Sequence, residues 1–206
     1  MTLNSIIPPW KIDPARFVYG LLPEGTRSGA SIATRIDELL PDGWPKRPTW
    51  IVAVRTNDGR RIVFGRDDVA GTVGQATQAS AAIPAFYTPV RIGDRSYVDG
   101  ALHSSTNADL VATLGFDLVM ISSVKTATPD ARSWRSDPER AWFSNKLDNE
   151  LAEIRSTGTP AIVIEPDATQ LELLASGERA DACLAGRLAA ERLSLIHISE
   201  PTRPLH

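Results

Sequence analysis

The chain has 206 residues, 42% of them hydrophobic, and a formal net charge of -3. Such a chain can bury a core of ordinary size, and its basic residues form no long block that would indicate nucleic acid or an anionic membrane surface as a partner. The single cysteine, Cys183, excludes disulfide bonds within the chain and zinc sites built on cysteine.

Residues 1–48 are irregular and proline-rich, with one short helical pattern at residues 31–40. This texture is typical of a connector or a lid. The first residues show no basic segment followed by an apolar run, and no later run reaches the ~18 apolar residues that a membrane span needs. We therefore expect a cytoplasmic protein without an integral membrane span, whose contact with membranes is peripheral.

Two hairpin patterns follow this region. Residues 49–65 alternate between β-branched and polar side chains around an Asn-Asp-Gly turn, which is typical of a β-hairpin. A second and shorter pattern covers residues 86–98 around Gly93-Asp94, and it runs directly into Asp99-Gly100. Two antiparallel strand pairs are therefore predicted before residue 100.

Helical periodicity marks residues 67–82, 106–114, 136–158, 168–176 and 179–192. The first of these helices has an Asp-rich first turn, and the third begins near Pro138 and ends at Gly158. Two nearly continuous apolar runs, residues 116–124 and 160–166, are typical of strands that are buried on both faces of a sheet. The alternation predicts an α/β fold with three layers, α/β/α, around a largely parallel central sheet.

The last 14 residues, 193–206, change character abruptly. They resemble the translation of a transposase sequencing adapter, and we predict that they are a tail foreign to the fold. Two of the three histidines lie in this tail, so His103 is the histidine that remains for any site.

Asp99 and Gly100 raise the main functional question. Taken alone, an Asp-Gly pair after a strand more often marks a turn, because both residues are favoured there for local backbone reasons. The surrounding blocks change that interpretation, because together they resemble the patatin-like phospholipase family, in its bacterial branch. The matching residues are Ala79-Ser80, Ala82-Ile83-Pro84, Phe86, Pro89-Val90, Tyr97-Val98-Asp99-Gly100, Asn107 and the strand at residues 117–122.

The resemblance implies that residues 49–192 are the C-terminal part of an acyl hydrolase domain that acts on lipid esters and needs no cofactor. It implies a Ser-Asp dyad in which Asp99 is the general base, with Tyr97 and Gly100 supporting the motif. Weaker candidates for contact with the substrate are Pro84, Phe86 and His103. For His103, a plain surface or supporting role is the alternative.

One part of the family pattern is missing, because the sequence contains no Gly-x-Ser-x-Gly motif and no glycine-rich oxyanion loop. The nearest imitation, residues 25–29, has Arg27 in the position of the serine and reads as an ordinary loop. In the family both elements come earlier in the chain. We therefore expect that the first strands of the domain precede Met1, and that the chain as written carries the base without its nucleophile and is inactive.

Two other classes of protein compete with this hypothesis. The chain could be an α/β binding module that never had a nucleophile, a question that the upstream nucleotide sequence would decide. A nucleotide-binding α/β domain is the other, but the sequence has none of the glycine patterns that bind phosphate in such domains.

Overall fold

The computed structural model describes residues 24–126 and 138–165. It divides into an N-terminal unit, Met1–Asn107, and a C-terminal unit, Ala108–His206. Several predicted features lie outside the described residues: the helices at residues 168–176 and 179–192, Cys183, and the tail at residues 193–206.

The N-terminal unit contains two helices and four strands. In chain order they are α1 (Ala30–Leu39), β1 (Ile51–Arg55), β2 (Arg61–Phe64), α2 (Val73–Ser80), β3 (Val90–Ile92) and β4 (Arg95–Asp99). The strands form one sheet in the order β2-β1-β4-β3, and every neighbouring pair is antiparallel. Both predicted hairpins are therefore confirmed, and β1 and β4 join them in the centre of the sheet.

The core of this unit lies between the sheet and α2. Three alanines are buried against the sheet: Ala76 and Ala79 of α2, and Ala82 just after the helix. Their small side chains allow the helix to approach the strands closely enough to cover the largest buried residues, Phe64 and Tyr97. The rings of these two residues meet edge to face, with their centroids 5.2 Å apart.

Helix α2 begins later than predicted. Its N-cap is Thr72, whose side-chain oxygen accepts a hydrogen bond from the Gln75 N–H, while the Gln75 side chain accepts one from the Thr72 N–H. This reciprocal capping box fixes the first turn at Val73. Asp67, which the sequence placed in that turn, instead accepts a hydrogen bond from the Val63 N–H at the end of β2.

Helices α1 and α2 are joined through one carboxylate. Asp37 of α1 accepts hydrogen bonds from the Thr72 hydroxyl and from the Gly74 N–H, both at 2.8 Å. An alanine side chain at Gly74 would place its Cβ 2.3 Å from the Ala33 carbonyl oxygen, so the two backbones are in direct contact here. Asp37 therefore satisfies donors at the start of α2 that the helix itself cannot satisfy.

We expect Asp37→Ala to lower the free energy of unfolding by about 2 kcal/mol, because the buried Gly74 N–H loses its acceptor. Urea denaturation followed by circular dichroism measures this loss. Glu38→Ala, at the next and exposed position, is the matched control and should change stability by less than about 0.5 kcal/mol. Equal effects of the two substitutions would contradict the role assigned to Asp37.

The C-terminal unit contains β5 (Val119–Ser122), α3 (Pro138–Ser156) and β6 (Ala161–Ile164). The two strands pair in parallel, with Val119 opposite Ala161. Helix α3 is described from Pro138 onward, and Gly158, just beyond its end, has the left-handed φ of 84° that favours glycine there.

Two expectations about this part of the chain were wrong in detail. The helix predicted at residues 106–114 is a 3-10 turn, Ala108–Val111, and it begins only after Asn107, whose left-handed φ of 49° is incompatible with a right-handed helix. The run at residues 116–124 is not buried on both faces, since Met120 on β5 is 65% exposed while Val119 and Ile121 are buried.

The mixed α/β class is confirmed, but the described strands do not form a largely parallel, three-layer sheet. The four-stranded sheet is antiparallel, and parallel pairing is confined to β5 and β6. A tight turn can join only antiparallel neighbours, which accounts for the pairs β1-β2 and β3-β4. The central pair, β1 and β4, is antiparallel without such a turn. Within residues 24–126 and 138–165, no helix is both long and apolar enough to span a bilayer.

Candidate active site

Asp99 is the last residue of β4 and lies opposite Ala53 of β1. Its backbone N–H donates to the Ala82 carbonyl at 3.0 Å, and its Oδ1 accepts from the Ala101 N–H at 2.8 Å. The second bond caps a 3-10 turn, Gly100–Leu102. The half-buried carboxylate is thus held by the strand, by the segment after α2 and by the turn that follows it.

Gly100 fits this place because there is no room for a side chain. A Cβ at this position would lie 2.4 Å from the Val52 carbonyl oxygen and 2.9 Å from its carbon. Such distances are far below van der Waals contact, and both atoms belong to the backbone of β1. Glycine after Asp99 therefore lets β4 leave the sheet while its backbone still touches the neighbouring strand.

Tyr97 supports the strand from the core side. The residue is only 2% exposed and its ring packs against Phe64. Burial raises the pKa of the Tyr97 phenol above its ordinary value, and the nearby Arg55 guanidinium opposes part of that rise. Tyr97 lies two residues before Asp99 and so occupies the same face of β4.

This pKa shift predicts a loss of stability at alkaline pH. Because the folded state holds the Tyr97 proton more tightly than the unfolded state does, the free energy of unfolding should fall as the pH rises above about 10. Urea midpoints measured between pH 9 and 11 would show the decline. Tyr97→Phe should make the decline shallower; the same slope in the parent and in this variant would refute the assignment.

Pro84 and Phe86 lie in the loop that follows α2. The loop is placed beside Asp99 by Ala82, whose carbonyl accepts the Asp99 N–H. Two of its apolar side chains face solvent, since Ile83 is 49% and Phe86 is 42% exposed. Ala85 between them has a φ of 65°, an uncommon conformation for alanine. The structure thus brings an exposed apolar loop to the strand end that carries the carboxylate.

Sequence reasoning did not foresee that Arg27 contacts this loop. The Arg27 guanidinium carbon lies 4.3 Å from the centroid of the Phe86 ring, a cation–π contact. The Arg27 N–H donates to the Phe86 carbonyl at 3.2 Å, and the Thr88 N–H donates to the Arg27 carbonyl at 3.0 Å. Residues 25–29, which imitate a serine motif, therefore form a short β-bridge to the loop, with Arg27 paired to Tyr87. No local sequence pattern indicates a pairing between residues so far apart in the chain.

His103 ends the 3-10 turn that Asp99 begins. Its backbone N–H donates to the Gly100 carbonyl at 3.0 Å, and the residue is half-buried. Within the described ranges, 24–126 and 138–165, no group of three His, Cys, Asp or Glu side chains is placed to hold a metal ion. The site contains a carboxylate, a histidine and exposed apolar side chains.

A carboxylate fixed at a strand end beside an exposed apolar loop, in a mixed α/β unit, is an arrangement suited to acid–base chemistry on an apolar substrate. The family model of patatin-like phospholipases matches residues 9–112, just over half of the chain. The chain therefore belongs to the patatin-like phospholipase family, a family of lipid acyl hydrolases. The match includes Pro84, Phe86, Tyr97, Asp99, Gly100 and His103.

Proposed function

We propose that Asp99 is the general base of a Ser-Asp dyad in a lipid acyl hydrolase. The observation that carries this proposal is the placement of the carboxylate, which is fixed at the end of β4 by hydrogen bonds at its backbone and at Oδ1. A carboxylate held in one orientation can accept the proton of a serine hydroxyl as that oxygen attacks an ester carbonyl. It can then activate the water that cleaves the acyl-enzyme.

The 206 residues contain no Gly-x-Ser-x-Gly motif that could carry the nucleophile of this dyad. We infer that the 206 residues supply the base, and that a segment beyond them supplies the serine and the oxyanion donors. On this proposal, the chain as written hydrolyses no ester at a measurable rate, since a base without a nucleophile forms no acyl-enzyme.

The substrate class follows from the loop after α2. Ile83 and Phe86 present apolar surface close to the residue that bonds to Asp99, and an acyl chain can cover that surface without losing hydrogen bonds to water. We propose that these two side chains contact the acyl chain, with Pro84 holding the loop between them. His103 is a further candidate for contact with the ester.

The test compares two proteins: the 206-residue chain, and the product of the reading frame extended upstream of Met1. Hydrolysis of p-nitrophenyl butyrate and labelling by a fluorophosphonate, which reacts with activated serines, are measured for both. Activity and labelling are expected only for the extended protein. Labelling of the 206-residue chain would mean that its nucleophile lies within the printed sequence. An extended frame without a Gly-x-Ser-x-Gly motif would favour the non-catalytic binding module.

A further inference from the structure

A groove with a volume of about 840 Å³ lies on the N-terminal unit, away from the residues of the candidate active site. One wall is the loop at residues 44–50, with the sequence WPKRPTW, which we call the Trp loop. The other wall is the turn at residues 65–70, which follows β2. None of the residues that line the groove belongs to the proposed dyad site.

The Trp loop is fixed against that turn at both of its ends. The Trp44 indole N–H donates to the Gly71 carbonyl at 3.0 Å. A Cβ at Gly65, whose φ is 86°, would lie 2.2 Å from the Thr49 carbonyl oxygen and 3.0 Å from a ring carbon of Trp44. At the other end, the Arg66 guanidinium carbon lies 5.5 Å from the centroid of the Trp50 ring. The loop therefore presents two half-buried indoles in set positions.

The cations between the two indoles are available to a ligand. Lys46 and Arg47 are exposed, and neither forms an ion pair with another residue in the described part of the chain. Arg66 differs, because its Nε lies 3.0 Å from Oδ1 of Asp67. The Asp67 carboxylate interacts with Arg66 and accepts a hydrogen bond from the Val63 N–H. The exposed Asp68 is therefore the groove residue whose negative charge offsets that of the two cations.

We propose that the Trp loop binds the surface of a bilayer that contains anionic lipid. Lys46 and Arg47 would contact lipid phosphates, and the ring of Trp50 would lie at the level of the headgroups, where indoles are favoured. Trp44, whose ring packs against the hydrophobic core, holds the loop in place. A basic side chain near an anionic leaflet strengthens binding about fivefold. Two cations are fewer than the roughly four to eight of a typical lipid-binding basic cluster, so the binding is expected to be weak and reversible. Nucleic acid would require a longer basic stripe.

The experiment uses the 206-residue chain and vesicles of phosphatidylcholine with or without 30% phosphatidylglycerol. Cosedimentation and a blue shift of tryptophan fluorescence report binding, which is expected only with phosphatidylglycerol and should weaken as sodium chloride is raised. The double variant Lys46→Gln/Arg47→Gln should bind about 25-fold more weakly. Asp68→Asn should bind about fivefold more tightly, because it removes the acid that opposes the two cations.

The matched control is Arg35→Gln/Arg91→Gln, which removes the same charge from two exposed positions outside the groove. It should bind within about twofold of the parent. The proposal is overturned if the parent does not bind the anionic vesicles, if both double variants weaken equally, or if dispersed short-chain phosphatidylglycerol binds as tightly as the bilayer. Asp99→Asn should bind normally, so the outcome is independent of the proposed dyad.

Discussion

Asp99→Asn, made in the protein that also carries the upstream nucleophile, is expected to lower kcat/KM for ester hydrolysis about 10³-fold. The amide oxygen of asparagine can still accept the Ala101 N–H, so the turn after β4 keeps its cap. The amide cannot take the proton of the serine, and the loss is therefore one of chemistry rather than of folding. Initial rates with p-nitrophenyl butyrate, measured beside thermal melting curves, separate the two effects.

Asp58→Asn is the control for this substitution. Asp58-Gly59 is another Asp-Gly pair of the described residues, and it lies in the turn between β1 and β2, where its carboxylate pairs with Arg55. Its replacement should leave kcat/KM within about twofold, because an exposed ion pair in a turn contributes little. If Asp99→Asn retained more than a tenth of the activity, or if both variants lost the same amount, Asp99 would not be the base.

Gly100→Ala is expected to lower the free energy of unfolding of the 206-residue chain by about 3 kcal/mol. The added Cβ would overlap the Val52 carbonyl, and neither backbone can move without disturbing the pairing of β1 with β4. Urea denaturation at constant m-value measures the loss. In the extended protein the same substitution should also lower kcat, because it displaces the residue that follows Asp99.

Gly29→Ala is the control for Gly100→Ala. Gly29 is also buried, but a Cβ there would meet only side chains at ordinary contact distances, that of Gln78 at 3.4 Å and that of Ile32 at 3.8 Å. We expect this variant to lose less than about 1 kcal/mol. If Gly100→Ala proved no more harmful than Gly29→Ala, the contact between β4 and β1 would be looser than the structure shows.

Local patterns were enough to predict the elements around the site. Alternation around a tight turn identified both hairpins, and Gly158 marked the C-terminal end of α3. Asp99 could be placed at a strand end for the same reason, since the alternation stops there. These features depend on residues that are close in sequence, which is why the sequence alone reveals them.

Features that depend on distant contacts could not be predicted in this way. The contact of Arg27 with Phe86 and that of Gly100 with Val52 join separate segments, and nothing in either segment indicates the other. The arrangement of the strands was mispredicted because no local pattern shows that β1 and β4 pair and so join the two hairpins into one antiparallel sheet. The net charge of the chain also gave no indication of the basic Trp loop, because acidic residues elsewhere outnumber its two cations.

The contact between Gly100 and Val52 means that the first hairpin determines the position of the Asp99 carboxylate. β1 carries none of the candidate site residues, yet its backbone determines how far β4 can advance before the chain turns at Asp99. Catalytic groups must be held to within about 0.5 Å of their productive position. A change of curvature in β1, caused by a substitution at Val52 or at its neighbours, would therefore displace the proposed base without altering any residue of the proposed dyad.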